Sequence, residues 1–296
     1  MALAQAREIQ GRLKKLFPKL RFKLVIIKTT GDEFQGVELF KKNNIGVFTK
    51  ALEKKLLSGQ IDIAVHSLKD LPTELPKGLT LAAFPKRLDP SDVLISKKRW
   101  SVKNLPRNAV IGTGSPRRKR QLFKLRPDLD IRDIRGNLDT RITKVVRDRQ
   151  YDAIIVAKAG LLRIKKYLKY AHSISPKDLL PAVGQAALGI ETRSKDLETI
   201  KIVRKLNHLE TEKIVSAERE FLRVLQGGCR VPVGIHSEIK GSKIYLKAAV
   251  FSSKTDNRVE GQFTGPADQY KKVGAELARQ LLKKGADRFL KEARSE

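Results

Sequence analysis

One thiol and a set of loop arginines are the residues of this sequence whose types and spacing could do chemistry. Cys229 is the only cysteine among 296 residues, and it follows Gly227 and Gly228. A lone thiol forms neither an internal disulfide nor a cysteine zinc site, so it is either an inert buried side chain or a nucleophile. Arg230 favours the reactive thiolate, and the glycines allow close approach of the backbone. The pattern favours a nucleophile.

A candidate anion site lies in residues 112–118, which read GTGSPRR. Ser115 is typical of a helix N-cap and Pro116 of a first helical residue, so a helix is predicted to begin here. Its free N–H groups, with Arg117 and Arg118, suit a carboxylate or a phosphate. The alternative is a solvated basic helix start, and this segment alone does not decide between the two.

Asp70 is the candidate acid or base. It ends residues 67–70, SLKD, directly after an apolar strand pattern. Lys69 favours the ionised form of this carboxylate, whereas a bound anionic or apolar substrate would favour the protonated form again. A carboxyl group at such a position is a candidate acid or base. The alternative is an aspartate that only caps a turn, which the spacing alone favours. His66 is expected to pack or hydrogen-bond structurally. Because the histidines lack metal-ligand spacing, no metal is predicted.

The net charge of +30 suits either a polyanionic partner or a lysine-rich surface. Aromatic residues are not interleaved with the basic runs, which argues against a platform for single-stranded nucleic acid. No apolar run is long enough to span a membrane, and the first residues do not read as a secretory signal. A single cysteine suits a reducing compartment. We therefore expect a cytoplasmic protein that binds neither nucleic acid nor membrane. The sequence shows no obvious dimer seam, so a monomer is expected.

Helix and strand patterns alternate along most of the chain, which is typical of a mainly parallel sheet with helices on its faces. Helices are expected over 2–17, 48–57 and 209–225, and from about 138, 161 and 268. Strands are expected over 22–27, 61–66, 109–111, 130–134, 153–157, 244–250 and 258–263. Ligands bind at the carboxyl ends of such strands. The loop arginines are therefore expected to converge on one cleft, and they are Arg117, Arg118, Arg135, Arg141 and Arg163.

Six short motifs occur in order along the chain, at residues 44–50, 66–70, 112–118, 134–137 with Arg141, 181–185 and 227–229. Their identity and order resemble those of the porphobilinogen deaminase, or hydroxymethylbilane synthase, family. Each is weak or moderate alone, but together they cover essentially the whole chain.

The resemblance implies an α/β fold with two domains like type II periplasmic binding proteins, flanking a cleft, and a small α+β C-terminal domain. The expected boundaries are 1–86 with 186–205, then 90–182, then 208–296. It implies a transferase of tetrapyrrole (porphyrin, haem) biosynthesis that condenses four porphobilinogen units with loss of ammonia. The resemblance implies that these units are added one after another to a dipyrromethane cofactor attached through Cys229, and that hydrolysis then releases hydroxymethylbilane.

The resemblance also implies a role for each matching residue. Asp70 is the catalyst that assists the departure of ammonia and stabilises cationic intermediates. Cofactor binding is expected at Cys229, Lys69, Ser67, Thr113, Ser115, Arg117, Arg118, Arg135 and Gln185. Substrate binding is expected at Arg141, Arg163, Phe48 and Gln5.

The sequence departs from the family pattern at its start, where Met1 stands within the first helix and the family's opening strand is missing. A start codon assigned too late explains this, and a true truncation would imply weak or no turnover. Ile45 stands where a lysine is frequent, and Ala186 where a glycine is common. Two other functional classes stay open. One is an anion-binding module with the same two periplasmic-binding-protein-like domains, and the other is a nucleic-acid-binding protein.

Overall fold

A computed structural model of the chain describes residues 1–27, 47–226 and 231–294, with only the backbone at 47–48. The expected thiol, Cys229, and the side chain of Phe48 therefore lie outside the described residues, as does Ile45.

Nine helices of two turns or more occur in the described residues. They are α1 (Ala2–Leu16), α2 (Val47–Leu57), α3 (Pro116–Leu125), α4 (Leu138–Val146), α5 (Lys158–Ile164), α6 (Leu197–Arg204), α7 (Leu209–Val224), α8 (Tyr270–Lys283) and α9 (Ala286–Arg294). Among these residues, no helix is both long and apolar enough to cross a membrane.

The strands of the described chain form three sheets. They are β1 (Ala64–Ser67), β2 (Leu79–Ala83), β3 (Asp92–Ile95), β4 (Val110–Gly112), β5 (Asp130–Arg132), β6 (Ala153–Ala157), β7 (Ala171–Ser173), β8 (Leu188–Arg193), β9 (Val233–Lys240), β10 (Lys243–Phe251) and β11 (Arg258–Pro266). The strand orders are β1-β8-β2, β5-β4-β6-β3-β7 and β11-β10-β9. The predicted class, α/β with a small α+β C-terminal region, is confirmed.

The prediction of mainly parallel sheets is correct only in part. β4 is parallel to both β5 and β6, because each is reached through a helical crossover. β3 is antiparallel to β6 and β7, and β8 is antiparallel to β1 and β2. β8 returns from a distant part of the chain to lie between β1 and β2, and local periodicity carries no information about such a return.

An N-terminal unit comprises Ala2–Arg87 and Ala187–Glu212. On its three-stranded sheet, α1 buries Ile9 and Leu13 against Ile190 of β8. These two positions are four residues apart and therefore share one helix face. The unit is discontinuous in sequence, and β8 ties its two segments into one sheet.

A C-terminal unit comprises Leu88–Ala186 and the chain from Lys213. The five-stranded sheet is apolar on both faces, with Ile155 in one cluster and the adjacent Ile154 in another. In the same unit the antiparallel β9–β11 meander packs under α7, α8 and α9, with Phe221 and Phe289 fully buried. The three domain boundaries expected from sequence stay a prediction.

Three element predictions need correction. Residues 22–27 form no strand, because they join no ladder in the described chain, and Val25 and Ile26 are exposed. The sequence patterns did not predict β2, β3, β7, β8, β9 or α6, although β10, the partner of β9, was expected. The single long C-terminal helix is two helices, because Gly285 has a φ of 90° and ends the first one.

Candidate active site

The segment after β4 begins α3 as the sequence predicts. Ser115 occupies the N-cap and Pro116 the first turn, but the Ser115 side chain makes no capping hydrogen bond. The backbone N–H of Ser115 instead donates to Oγ1 of the buried Thr113 at 3.3 Å. The Thr113 N–H donates to the carbonyl of Arg132 at 2.9 Å, which ties the loop to the end of β5.

The first turn of α3 holds two buried arginines that share one carboxylate. Nη2 of Arg117 lies 2.7 Å from Oδ2 of Asp92, and Nη2 of Arg118 lies 2.7 Å from Oδ1. Nε2 of Gln185 donates to the same Oδ1 at 2.9 Å and to the carbonyl of Pro90 at 2.6 Å. One carboxylate at the start of β3 thus organises three of the polar side chains near it.

Each arginine has a second anchor on the backbone. Nη1 of Arg117 donates to the carbonyl of Leu180, and Nη1 of Arg118 donates to the carbonyl of Ile155 at 3.0 Å. Relative exposure is 0% for Asp92, 5% for Arg117 and 7% for Arg118. Two anchors on a planar guanidinium fix its orientation as well as its position.

The charges of this cluster do not balance. Burial by itself raises the pKa of Asp92, but the charges and hydrogen bonds of Arg117 and Arg118 outweigh it and hold that pKa far below its usual range. Burial lowers the pKa of Arg117 although Asp92 opposes this. Burial and then the charge of Arg118 lower the pKa of Arg141. Two guanidinium groups therefore flank one carboxylate, and a third guanidinium, that of Arg141, is close enough to interact with the charge of Arg118. The resulting excess of positive charge suits an anion.

Of the five arginines expected to converge, the structure places Arg117 and Arg118 in this cluster and Arg141 within electrostatic reach of Arg118. Arg141 lies in α4, and its Nε donates to the carbonyl of Gly136 at 2.7 Å, where a φ of 111° favours glycine. Arg163 is in the last turn of α5, and its Nη2 donates to the carbonyl of Ala186 at 3.0 Å. Arg135 is exposed after β5.

In the N-terminal unit, Lys69 and Asp70 lie exposed on a single 3-10 turn, Leu68–Asp70, directly after β1. The apolar Leu68 anchors the turn, because its side chain is buried and its N–H donates to the carbonyl of Ala187 at 3.1 Å. The turn therefore presents its two charged side chains to solvent while its backbone is held by the sheet.

Ser67 is held by Gln5 from α1. Nε2 of Gln5 donates to Oγ of Ser67 at 2.8 Å, and Oγ lies 3.1 Å from Oε1 of Gln5. Gln5 is buried on the same helix face as Ile9, one turn further along. Gln5 therefore contacts a predicted cofactor residue and supports the β1 end.

His66 has the structural role that the sequence predicts. Its Nε2 lies 2.9 Å from Oε2 of Glu191 on β8, and both side chains are buried. This pair joins β1 to β8 directly before the Ser67–Asp70 segment.

Sequence reasoning missed Asp92 and Glu191, the two buried carboxylates on which these groups depend. A signal for Asp92 was present, because a charged residue that opens an apolar strand is rarely buried without a cationic partner. No comparable local signal marks Glu191, whose partner is 125 residues away. Within the described residues, no cluster of three His, Cys, Asp or Glu could hold a metal.

Comparison with known proteins identifies the chain. The family model "Porphobilinogen deaminase, dipyromethane cofactor binding domain" matches residues 1–201, and the model of the family's C-terminal domain matches 213–283. The chain belongs to the porphobilinogen deaminase family. Membership makes it a transferase of porphyrin biosynthesis with a dipyrromethane-binding domain, as the motifs predicted.

Curated relatives match nearly end to end. The porphobilinogen deaminase of Chlorobium phaeobacteroides (strain BS1) is 44% identical over 99% of this chain and 95% of its own length. That of Chlorobaculum tepidum is 45% identical with the same coverage. That of Carboxydothermus hydrogenoformans is 42% identical over 99% and 94%.

Solved structures with a similar fold include the substrate binding protein of an amino acid ABC transporter, with a TM-score of 0.36, 11% identity and coverage of 68% of this chain and 79% of that one. The periplasmic VFT2 domain of Bordetella pertussis BvgS has a TM-score of 0.38, 16% identity and coverage of 67% and 76%. Likeness at this level does not bear on the ligand.

Proposed function

We propose that this chain builds hydroxymethylbilane from four porphobilinogen molecules on a dipyrromethane primer bound through the Cys229 thiol. In each addition, the C–N bond of the porphobilinogen aminomethyl group breaks with release of ammonia, and a new bond joins that methylene carbon to the free α-carbon of the terminal pyrrole ring. Water finally cleaves the product from the primer. The observation that carries the proposal is the buried cluster of Asp92, Arg117 and Arg118, with Arg141 beside it.

The chemistry of the cluster fits the cofactor. Each pyrrole ring carries an acetate and a propionate, so the primer and the growing product are polycarboxylates. Nε of Arg117 and Nε of Arg118 are buried and have no hydrogen-bond partner in the described part of the chain. A buried donor without a partner is costly, and a ligand carboxylate would supply the missing acceptor. Arg117 and Arg118 would therefore hold cofactor carboxylates, with Thr113, Ser115 and Gln185 nearby.

Asp70 is the proton-transfer group in this proposal. The aminomethyl nitrogen of porphobilinogen must leave as ammonia, and a carboxyl group can deliver the proton that this departure requires. The resulting carboxylate then stabilises the cationic pyrrole by accepting hydrogen bonds from ring N–H groups, and it recovers a proton from the newly joined carbon. Exposure on a sheet-anchored turn leaves Asp70 accessible to substrate.

The remaining roles follow the family motifs. Ser67 and Lys69 bind the cofactor, and Gln5 fixes Ser67 through their hydrogen bond. Arg135 binds the cofactor. Arg141, Arg163 and Phe48 bind the incoming substrate. For Phe48 the proposal rests on the sequence motif alone. We also propose a cytoplasmic location, because one cysteine suits a reducing compartment. The monomer stays a proposal that rests on the sequence pattern alone.

Intact-mass measurement of the purified chain tests the covalent primer. We expect a mass increase equal to dipyrromethane, absent from Cys229→Ser and retained in Lys243→Gln, an exposed change in β10. Addition of porphobilinogen should extend the adduct stepwise. An unmodified parent chain that condenses porphobilinogen would contradict the role of Cys229. An unmodified chain that binds polycarboxylates without turnover would instead support an anion-binding module.

A further inference from the structure

Asp92 has no assigned role in the proposed reaction, yet it is a fully buried carboxylate in direct contact with predicted cofactor residues. Its carboxylate accepts hydrogen bonds from Arg117, Arg118 and Gln185 at 2.7, 2.7 and 2.9 Å. All three donors were predicted from the motifs to bind the cofactor. Their joint dependence on one carboxylate is visible only in the folded chain.

The arrangement fixes which part of each guanidinium remains for a ligand. On Arg117 and on Arg118, Nη2 is directed at Asp92 and Nη1 at a backbone carbonyl. Because the guanidinium is planar, these two contacts determine the direction of the remaining Nε–H. Both Nε atoms are buried without a hydrogen-bond partner among the described residues.

Asp92 also sets the charge of the site. One carboxylate between two arginines leaves one positive charge unbalanced, and Arg141 adds another close to Arg118. A second acidic partner would neutralise the pair and weaken its attraction for a ligand carboxylate, whereas no acidic partner would leave two buried like charges adjacent. One carboxylate holds the arginines together and still leaves the site cationic.

We propose that Asp92 is a positioning residue for primer binding, which orients Arg117 and Arg118 so that their Nε edges meet cofactor carboxylates. The inference rests on the proposed function, because it concerns loading of the same cofactor. A purely structural role for Asp92 would change stability without changing the fraction of folded protein that carries the primer.

The experiment measures primer loading in three variants by intact mass. Only preparations that unfold cooperatively in a thermal melt are compared. Asp92→Asn keeps the size of the side chain but gives one arginine a donor in place of an acceptor. Asp92→Glu keeps the charge but moves the carboxylate by one methylene. Leu94→Ala destabilises the same strand through a cavity, since Leu94 is fully buried and makes no polar contact with the cluster.

We expect the ratio of loaded to unloaded chain to fall about tenfold or more in Asp92→Asn and by a smaller factor in Asp92→Glu. Leu94→Ala should carry the primer to the same extent as the parent, although its melting temperature should be lowered to about that of Asp92→Asn. Parent-like loading in Asp92→Asn overturns the proposal, and so does an equal fall in Leu94→Ala. If Asp92→Asn does not fold, full loading of Asp92→Glu overturns the claim about position. An unloaded parent chain contradicts the proposed function instead.

Discussion

The two regions that carry the predicted chemistry differ in how far their charged side chains are buried. In the C-terminal unit, Arg117 and Arg118 are buried and held by Asp92 and by backbone carbonyls. In the N-terminal unit, Lys69 and Asp70 are exposed on one short turn, and the sheet anchors that turn through the backbone of Leu68. In the proposed reaction, fixed orientation suits the arginines that would hold the cofactor, and exposure suits the carboxylate that would exchange protons with substrate.

Replacement of aspartate by asparagine can be made in both regions, and its largest expected effect is on turnover in Asp70→Asn. We expect Asp70→Asn to lower turnover of porphobilinogen by about 10²–10⁴-fold, because the amide cannot deliver or recover the proton. The melting temperature should stay close to that of the parent, since the side chain is exposed. Single-turnover assays and thermal melts measure both quantities. Glu74→Gln, an exposed change nearby, is the control. Parent-like turnover in Asp70→Asn would remove this residue from the mechanism.

In Asp92→Asn, unlike Asp70→Asn, we expect a large loss of stability in addition to the loss of primer loading. The free energy of unfolding should fall by about 3–5 kcal/mol, because two buried arginines lose their shared counter-charge. Denaturant titration of Asp92→Asn and Asp70→Asn side by side measures the difference. Equal stability of the two variants would show that the buried cluster contributes no more than an exposed carboxylate does.

Acid should weaken the cluster. The pKa of Asp92 is lowered in the folded chain from a reference of 3.8, so its contribution is complete above that pH and is lost as pH falls through the lower folded pKa. Between pH 5 and acid conditions the parent should therefore lose more free energy of unfolding than Asp92→Asn does. Other ion-paired carboxylates contribute equally to both chains. Parallel losses in the two chains would contradict this account.

The smallest effect concerns the loop that accepts the hydrogen bond from Arg163. Ala186 has a φ of 72°, a left-handed conformation that costs alanine but not glycine. Ala186→Gly should raise the free energy of unfolding by about 1 kcal/mol. Ala187→Gly, at a neighbouring residue without a positive φ, should lower it, and chemical denaturation of both variants provides the test. A loss of stability in both would show that no strain is relieved at position 186.

Several elements could be predicted because their signals are local. Ser115 and Pro116 predict the start of α3, and the spacing of Ile9 and Leu13 predicts the buried face of α1. The prediction of a strand over 22–27 is wrong because strand formation depends on more than a local signal. Its residues have strand propensity, but a strand also needs a neighbour, and the described chain provides none there.

The sequence by itself determined which chemical groups are present: an isolated thiol, loop arginines and a carboxylate after an apolar strand. It also determined the family, because the motifs occur in a fixed order along the chain. Only the tertiary structure decided that Arg117 and Arg118 share Asp92, and that His66 binds Glu191. The physical reason is that a buried charge must be compensated by whatever the fold brings within hydrogen-bond distance. Strand pairing between distant segments makes that choice, and local sequence does not encode it.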